Sequence, residues 1–483
     1  MNAKTSEILD IFGQISKIPR CSNNETEICN WLLQWAKDHG FDTRQDKAQN
    51  VVIRVPATAG AENRPTIVLQ GHVDMVCEKT AASGHDFGKD PIPVVLDGDW
   101  VRAETTSLGA DNGIALALAL SMAADATTIH PPLELLFTTG EETGLNGALN
   151  LAEDMIEGKI LLNLDSEDEG VFTIGCAGGR ITKMNLQLHF EPLSDSLSIA
   201  ELKVGGLLGG HSGIDINKGR ENAIKIMART LNALQQEIPI QLISLKGGTA
   251  HNAIPREAQA IIACPETSFG SLSKMVASVA DREKTDKGGI EKGLMISVAK
   301  PENASSFSHV VTHKDTQKAI NLFMALPHGI SALLPDSCGN VRTSTSLASM
   351  VIEDETLKFL CSHRSASQVG LDSITQRVSA VAFLAGIKPD NDTGFPPWEP
   401  NEKSELLERC RRIYHSLFGE APTIDIMHAG LECGIIGTKY PGMDMISLGP
   451  TIENPHSPDE RLHIPSIDRF WRFLCTLLES YVK

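Results

Sequence analysis

Acids and imidazoles placed directly after short apolar runs constrain this chain more than any other feature. Thr66-Ile67-Val68-Leu69-Gln70 leads into Gly71-His72-Val73-Asp74, Leu133-Glu134-Leu135-Leu136-Phe137-Thr138 into Gly140-Glu141-Glu142, and Ile160-Leu161-Leu162-Asn163-Leu164 into Asp165. Runs of this kind read as buried strands. The end of a buried strand is a rigid support from which a side chain projects into a cleft, so three strands deliver polar groups at one end. Asp111 lies in Leu108-Gly109-Ala110-Asp111-Asn112-Gly113, directly ahead of a helical stretch over 114–122, where the glycines permit an unusual backbone. His456 follows far downstream, in Glu453-Asn454-Pro455-His456-Ser457-Pro458. Such a set has the make-up of a centre that holds two metal ions.

With 483 residues the chain exceeds one ordinary core, and two large units are expected. Up to about residue 180, helical and strand patterns alternate as in a parallel sheet flanked by helices, with helices over 6–17 and 25–39 and a strand over 51–55. From about residue 181 short alternating strands, such as 202–204 and 241–245, mix with amphipathic helices over 221–236 and 367–385, an α+β texture. After the polar, Pro-rich stretch 390–397 the first pattern resumes, with a helix over 403–417 and a strand over 445–448. The predicted fold class is α/β: a catalytic domain with a mostly parallel mixed sheet flanked by helices, formed by 1–183 and 397–483, with an α+β lid domain inserted over 184–396. Chemistry requires the same discontinuity, because His456 has to reach a centre shared with residues before 170.

A net charge of -18, from 61 acidic and 43 basic residues, opposes nucleic acid or an anionic membrane as partner. The ten cysteines, scattered from Cys21 to Cys475 without a Cys-x-x-Cys pair, read as buried, reduced thiols. The amphipathic first 17 residues lack the apolar region of a signal peptide, and the apolar run over 114–120 is too short to span a bilayer. A soluble cytoplasmic protein is expected. No His-Glu-x-x-His occurs, Gly210-His211-Ser212-Gly213-Ile214 misses the last glycine of a nucleophile elbow, and no Gly-Lys-Ser or Gly-Lys-Thr follows Gly205 to Gly210.

The spacing His-x-Asp lets His72 bind metal through one ring nitrogen while Asp74 accepts a hydrogen bond from the other, which fixes the tautomer. Glu141 and Glu142 put two carboxylates on opposite sides of one turn, which suits one ligand and one free base. Taken together, Gly71-His72-Val73-Asp74, Gly109-Ala110-Asp111-Asn112-Gly113, Thr139-Gly140-Glu141-Glu142-Thr143-Gly144 and Asn163-Leu164-Asp165 resemble the motifs of the co-catalytic zinc aminopeptidase, carboxypeptidase and aminoacylase superfamily. Within it the chain is similar to the bacterial aminoacyl-histidine dipeptidases, also called peptidase D or carnosinase-like enzymes. Ile15-Ser16-Lys17-Ile18-Pro19-Arg20, His428-Ala429-Gly430-Leu431-Glu432-Cys433-Gly434 and the His456 segment extend the likeness over essentially the whole chain.

The resemblance implies that Asp111 bridges two zinc ions, with His72 and Asp165 at one and Glu142 and His456 at the other. A mixed imidazole and carboxylate set fits zinc and also admits manganese or cobalt. Glu141, not needed as a ligand, is then the general base. Further roles implied are His211 as donor to the oxyanion, in one chain or across a homodimer, Arg364 on the substrate carboxylate, and Asn252 near the scissile carbonyl. Glu432 either binds the substrate amine or orients a ligand. The expected reaction is hydrolysis of a dipeptide, of Xaa-His type including β-alanyl-histidine, by metal-activated water. An N-acyl amino acid deacylase or carboxypeptidase could use the same metals, and a non-catalytic binding protein could keep the fold, although it would have no reason to retain Glu141 with all five ligands.

Overall fold

The computed structural model describes residues 1–302, 304–335 and 339–483. The chain forms two compact units, one of Met1–Cys176, Trp398–Ile426 and Leu431–Lys483, the other of Ala177–Pro397 and Met427–Gly430. Each has its own apolar core.

Among the described residues the first unit is built on an eight-stranded sheet, in the order Asp42–Gln45, Val51–Val55, Leu133–Thr138, Ile67–His72, Ile160–Asn163, Asp444–Ser447, Val171–Cys176, Thr423–Met427. Its central strands run parallel: Ile67 faces Leu133 and His72 faces Thr138 on one side, and Gln70 faces Asn163 on the other. Every residue of Ile67–His72 and of Leu133–Thr138 is buried, as expected of apolar runs covered on both faces. The register leaves their carboxyl ends level, which is where His72, Glu141 and Asp165 emerge.

Helix Ala110–Ala124 is buried almost all round, and its start departs from helical geometry at Asp111 and Asn112. Sequence spacing starts this helix at 114; the residues ahead of it, rich in Gly, Asp and Asn, have low helix propensity and are held by contacts from elsewhere. A small four-stranded sheet orders Ile452–Glu453, Arg461–His463, Trp100–Ala103 and Val94–Asp97. The loop joining its first two strands carries His456, whose backbone is left-handed at φ +59°, an uncommon state for a residue with a Cβ.

Among the described residues the second unit carries a nine-stranded sheet whose pairings are antiparallel throughout. Helices Ala223–Gln235, Phe269–Lys287, His313–Ala325 and Gln368–Leu384 accompany it, and their apolar residues join the sheet in the unit's core. Strand Gly178–Gln187 alternates buried and exposed residues along its second half, so one face of the sheet is packed and the other polar.

The cysteines depart from expectation. Cys21 and Cys77 form a disulfide, with Cα atoms 5.7 Å apart, because a bridge between Cys21 and Met75 lays the two segments side by side. Six other cysteines are buried, Cys475 is half-buried, and Cys338 lies outside the described residues. No helix among the described residues is long and apolar enough to cross a membrane.

Candidate metal centre

His72 ends its strand and is almost wholly buried, as is Asp74 two residues on. The His72 Nδ1 atom lies 3.1 Å from the Asp74 backbone oxygen and 3.4 Å from its Oδ1. Nδ1 therefore carries the proton, and the lone pair sits on Nε2. That lone pair faces Asp111 Oδ1 at 3.1 Å and Asp165 Oδ1 at 3.3 Å. On the other side of Asp111, His456 Nε2 is 2.9 Å from Asp111 Oδ2 and 3.0 Å from Glu142 Oε1. The two oxygens of one carboxylate thus address two different imidazoles.

Lone pairs cannot face carboxylate oxygens in a buried site without a positive charge between them. Protons meet part of that demand: hydrogen bonding to Asp111 and Glu142 pushes His456 up to about 11, and Asp165 and Asp111 hold His72 well above its usual range against the opposing effect of burial. The ligand atoms of His72, Asp111 and Asp165, and those of Asp111, Glu142 and His456, each fall within 4.8 Å of one another. Nitrogen and oxygen donors so grouped, with Asp111 common to both, fit two divalent cations. Glu141 also gathers with His72 and Glu142; burial first, opposed by His72, raises its carboxyl well above the ordinary range.

Several residues that the sequence reading did not single out hold this arrangement. Gly109 caps helix Ala110–Ala124 without a side chain to accept from the first turn, so the free N–H groups need an acceptor from elsewhere. Glu460 supplies it: Oε2 accepts from Leu108 N at 2.7 Å and Gly109 N at 2.8 Å, and Oε1 from Ala110 N at 2.7 Å and Asp111 N at 3.2 Å. No pattern in the sequence marks this acid, four residues after His456. The buried Arg20 guanidinium donates to the Val73, Asp74 and Gly109 carbonyls, and Asn112 donates to Leu164 O at 3.0 Å while accepting from His72 N at 3.3 Å. Asp74 accepts from the backbone N–H of Glu141 and of Glu142, at 3.0 and 3.2 Å, and from Ser22 Oγ at 2.7 Å. It therefore orients His72, Glu141 and Glu142 at once, which lie in one cluster.

Glu432 is wholly buried. Its Oε2 accepts from Gln70 Nε2 and Thr138 Oγ1, both at 2.6 Å, and Gln70 Oε1 in turn accepts from Asn163 Nδ2 at 2.6 Å. Burial raises its carboxyl to about 7, with the Thr138 bond opposing. Glu167, two residues past Asp165, is likewise pushed up to about 8, by burial and then by Asp111 and Asp165.

His211, Asn252 and Arg364 belong to the second unit. The short strand Gly210–His211 pairs with Ala253–Ile254, and Ser212 N donates to the Asn252 carbonyl at 2.7 Å. Arg364 Nη2 comes within 3.3 Å of His211 Nε2. A side chain at Gly213 would strike the His428 carbonyl at 2.3 Å and Arg364 Cδ at 3.0 Å, so glycine there lets the His211 turn close on the arginine. His428 Nε2 meets Ser344 Oγ at 2.7 Å.

Residues 202–288 match the peptidase dimerisation domain, and residues 50–183 match peptidase family M28. The chain is 40% identical over 471 residues to the cytosol non-specific dipeptidase of Escherichia coli, covering 98% of this chain and 96% of that one. The crystal structure of aminoacylhistidine dipeptidase from Vibrio alginolyticus superposes with a TM-score of 0.87 at 37% identity, covering 98% of this chain and 96% of that chain. Aminopeptidase PepT from Bacillus cereus shares the fold, with a TM-score of 0.57 at 15% identity and 99% of each chain covered. Identity at the first two levels, across nearly the whole of each chain, settles the relationship: the protein belongs to the family of cytosol non-specific and aminoacylhistidine dipeptidases.

Proposed function

We propose that the protein hydrolyses dipeptides, Xaa-His among them, at a dinuclear zinc centre held by His72, Asp111, Glu142, Asp165 and His456. The observation that carries this reading is Asp111, whose two oxygens face separate imidazoles, each with a further carboxylate beside it. Two bound divalent ions supply Lewis acidity, lowering the pKa of water and polarising the scissile carbonyl.

The side chains do the rest. Glu141 accepts a proton from the attacking water as its oxygen bonds to the carbonyl carbon; when the C–N bond breaks, the same carboxyl returns that proton to the leaving amine. Burial, opposed by His72, raises the proton affinity of Glu141, which strengthens its carboxylate as a proton acceptor. Asp74 keeps His72 in the Nδ1–H tautomer and fixes the Glu141–Glu142 backbone. His211 donates to the oxyanion, Arg364 holds the terminal carboxylate and Asn252 meets the scissile carbonyl. For Glu432 the wholly buried, doubly hydrogen-bonded carboxylate supports the orienting role over contact with a substrate amine. The match of residues 202–288 supports a homodimer, and the likeness to a cytosol enzyme supports a cytoplasmic location.

A kinetic panel of Xaa-His, Xaa-Leu and N-acyl amino acid substrates, run on protein stripped of metal and then reloaded with zinc, manganese or cobalt, tests the proposal. Turnover of the dipeptides with zinc, and little of the acylated compounds, is expected. Preference for substrates without a free amine would make it a deacylase, and no turnover with two ions bound would make it a binding protein.

A further inference from the structure

The linker between helices Ala3–Ile15 and Thr26–Asp38 braces three loops of the candidate centre, all within the first unit. Arg20 Nη1 donates to the Val73 and Asp74 carbonyls at 2.9 and 3.2 Å, and its Nη2 donates to the Gly109 carbonyl. Ser22 Oγ donates to Asp74 Oδ2 at 2.7 Å, and Glu25 Oε1 accepts from Gly140 N at 3.2 Å. The loops that carry His72 and Asp74, Asp111, and Glu141 with Glu142 are therefore all held from the one segment 20–25. Its middle residues, Asn23 and Asn24, are polar and exposed. A segment with so little apolar burial is held only as firmly as its cross-links allow.

The bond between Cys21 and Cys77 is the covalent cross-link of this brace. On the near side, Met75 N donates to the Arg20 carbonyl at 3.2 Å. On the far side, Ser107 N donates to the Glu78 carbonyl at 2.8 Å, Ser107 Oγ to the Val76 carbonyl at 2.6 Å, and Thr80 N to the Thr105 carbonyl at 2.9 Å. Cys77 thus lies in a stretch that is tied to the residues leading into Asp111. Opening the bond leaves segment 20–25 attached by hydrogen bonds alone, and the loops lose a shared fixed point. Both cysteines are half-buried, so a reductant in water can reach the sulfurs. Exposed disulfides are the labile ones, and in a reducing compartment a disulfide that forms is typically transient and redox-sensing. Burial pushes the neighbouring Cys29 thiol up to about 12, which keeps it protonated and a poor competitor for the bond.

We propose that Cys21 and Cys77 are a redox site that governs the metal centre: as a disulfide they clamp segment 20–25 on the loops of His72, Asp111 and Glu141, and as two thiols they release it and loosen the hold on metal. With glutathione, one thiolate attacks a sulfur of the bond and frees one cysteine; a second glutathione resolves the mixed disulfide, leaving two cysteine thiols and oxidised glutathione. Oxidised glutathione drives the reverse exchange. Both cysteines are positioning residues, acting through the loops they tie. That the centre so controlled is a dinuclear zinc site rests on the function proposed above; the redox pair and its hold on the loops do not.

The full chain, equilibrated with oxidised or with reduced glutathione, tests this in three readings. Peptide mapping should recover a pair joined through Cys21 and Cys77 from the oxidised protein, and reduced glutathione should open it without denaturant. Hydrogen exchange of the metal-free protein should run about tenfold faster after reduction in peptides over 72–77 and 139–143, with 51–55 of the same unit unmoved. Zinc affinity, read by competition with a chromophoric chelator after the glutathione is removed, should be weaker by about 10- to 100-fold in the reduced protein, the range for loss of a group that orients ligands. The double variant Cys21→Ser with Cys77→Ser should match the reduced protein in both buffers, which separates loosening of the loops from zinc capture by the new thiols. A bond that opens only on unfolding, exchange that is unchanged or quickens equally over 51–55, or equal zinc affinity in the two redox states would each overturn the proposal. Should the double variant not fold, the wild type in its two states still decides. Failure to bind zinc in either state would count against the dinuclear centre proposed above, while mapping and exchange would still decide the redox pair.

Discussion

Single side chains at the centre divide into those proposed to face the cations and those that aim them, and the two classes should fail differently. Glu141, the proposed general base, gathers with His72 and Glu142 without being needed to bridge the two imidazoles. Glu141→Gln is therefore expected to keep two metal ions per chain by elemental analysis while kcat drops by about 100- to 10,000-fold, the range for losing a general base. Glu460 aims. Its carboxylate takes four backbone N–H groups, and Glu460→Gln turns one of its two oxygens into a donor, so two buried N–H groups lose their acceptor at about 1–3 kcal/mol each. The expected result is a lowered melting temperature together with metal binding weakened by at least about tenfold in calorimetry, because Asp111 sits on the loop that is released. A Glu460→Gln protein with unchanged metal affinity would mean that Asp111 is fixed without this carboxylate. Glu460 was not readable in advance: a lone acid in a polar loop carries no period, and the need for it shows only once Gly109 is found capping the helix with no side chain of its own.

Elements were legible where burial writes a period into the chain. Strand Val51–Val55 spans the residues expected, and helices Thr26–Asp38, Ala223–Gln235 and Gln368–Leu384 match the predicted helices to within two residues at either end, since apolar residues on one stripe or in one run leave few alternatives. The pieces that complete the centre were not legible. Ile452–Glu453 and Arg461–His463 are two and three residues long, too short to show alternation, yet their hairpin carries both His456 and Glu460. Among the antiparallel strands, His363 gives a measurable consequence. Its ring links Thr182 Oγ1 and Thr345 Oγ1, each at 2.8 Å, across three neighbouring strands, and burial, then Arg180, lowers it to about 3. Burial with Lys225 and Arg229 nearby likewise lowers His328 to about 4. As pH falls below the ordinary histidine value of about 6.5 the unfolded chain binds protons that the folded chain does not, so stability is full above that pH and declines down to the folded values. Each histidine adds about 1.4 kcal/mol per pH unit to the slope. Denaturant unfolding of this unit between pH 7 and 5 should show the decline, and His363→Leu should lessen its steepness by the share of one histidine whatever the variant does to absolute stability.

At the scale of the whole molecule the chain is two cores with unequal electrostatic burdens. The α/β character and the change of texture after the first parallel strands were plain from the sequence, because a sheet covered on both faces and an antiparallel sheet covered on one write different patterns. What the sequence could not display is how much negative charge the first unit buries. Asp74, Asp111, Glu432 and Glu460 are all buried, and Asp165, Glu141 and Glu142 stand with them, while Arg20 is the one buried arginine or lysine among the described residues of that unit. Asp165 is raised to about 6 and Glu432 to about 7, in each case by burial first, so these carboxylates resist ionisation unless other cations balance them. Removing divalent ions should therefore destabilise the first unit and spare the second, whose core contains none of the metal-facing residues. Differential scanning calorimetry with and without chelator tests this, because ligand binding raises the melting temperature only of the unit that binds. Chelation is expected to lower one transition by several degrees, to leave the other in place, and to be reversed by adding back zinc. A single transition that moves as a whole would show that the two cores melt as one cooperative body, and two unmoved transitions would show that the buried carboxylates are stable without metal.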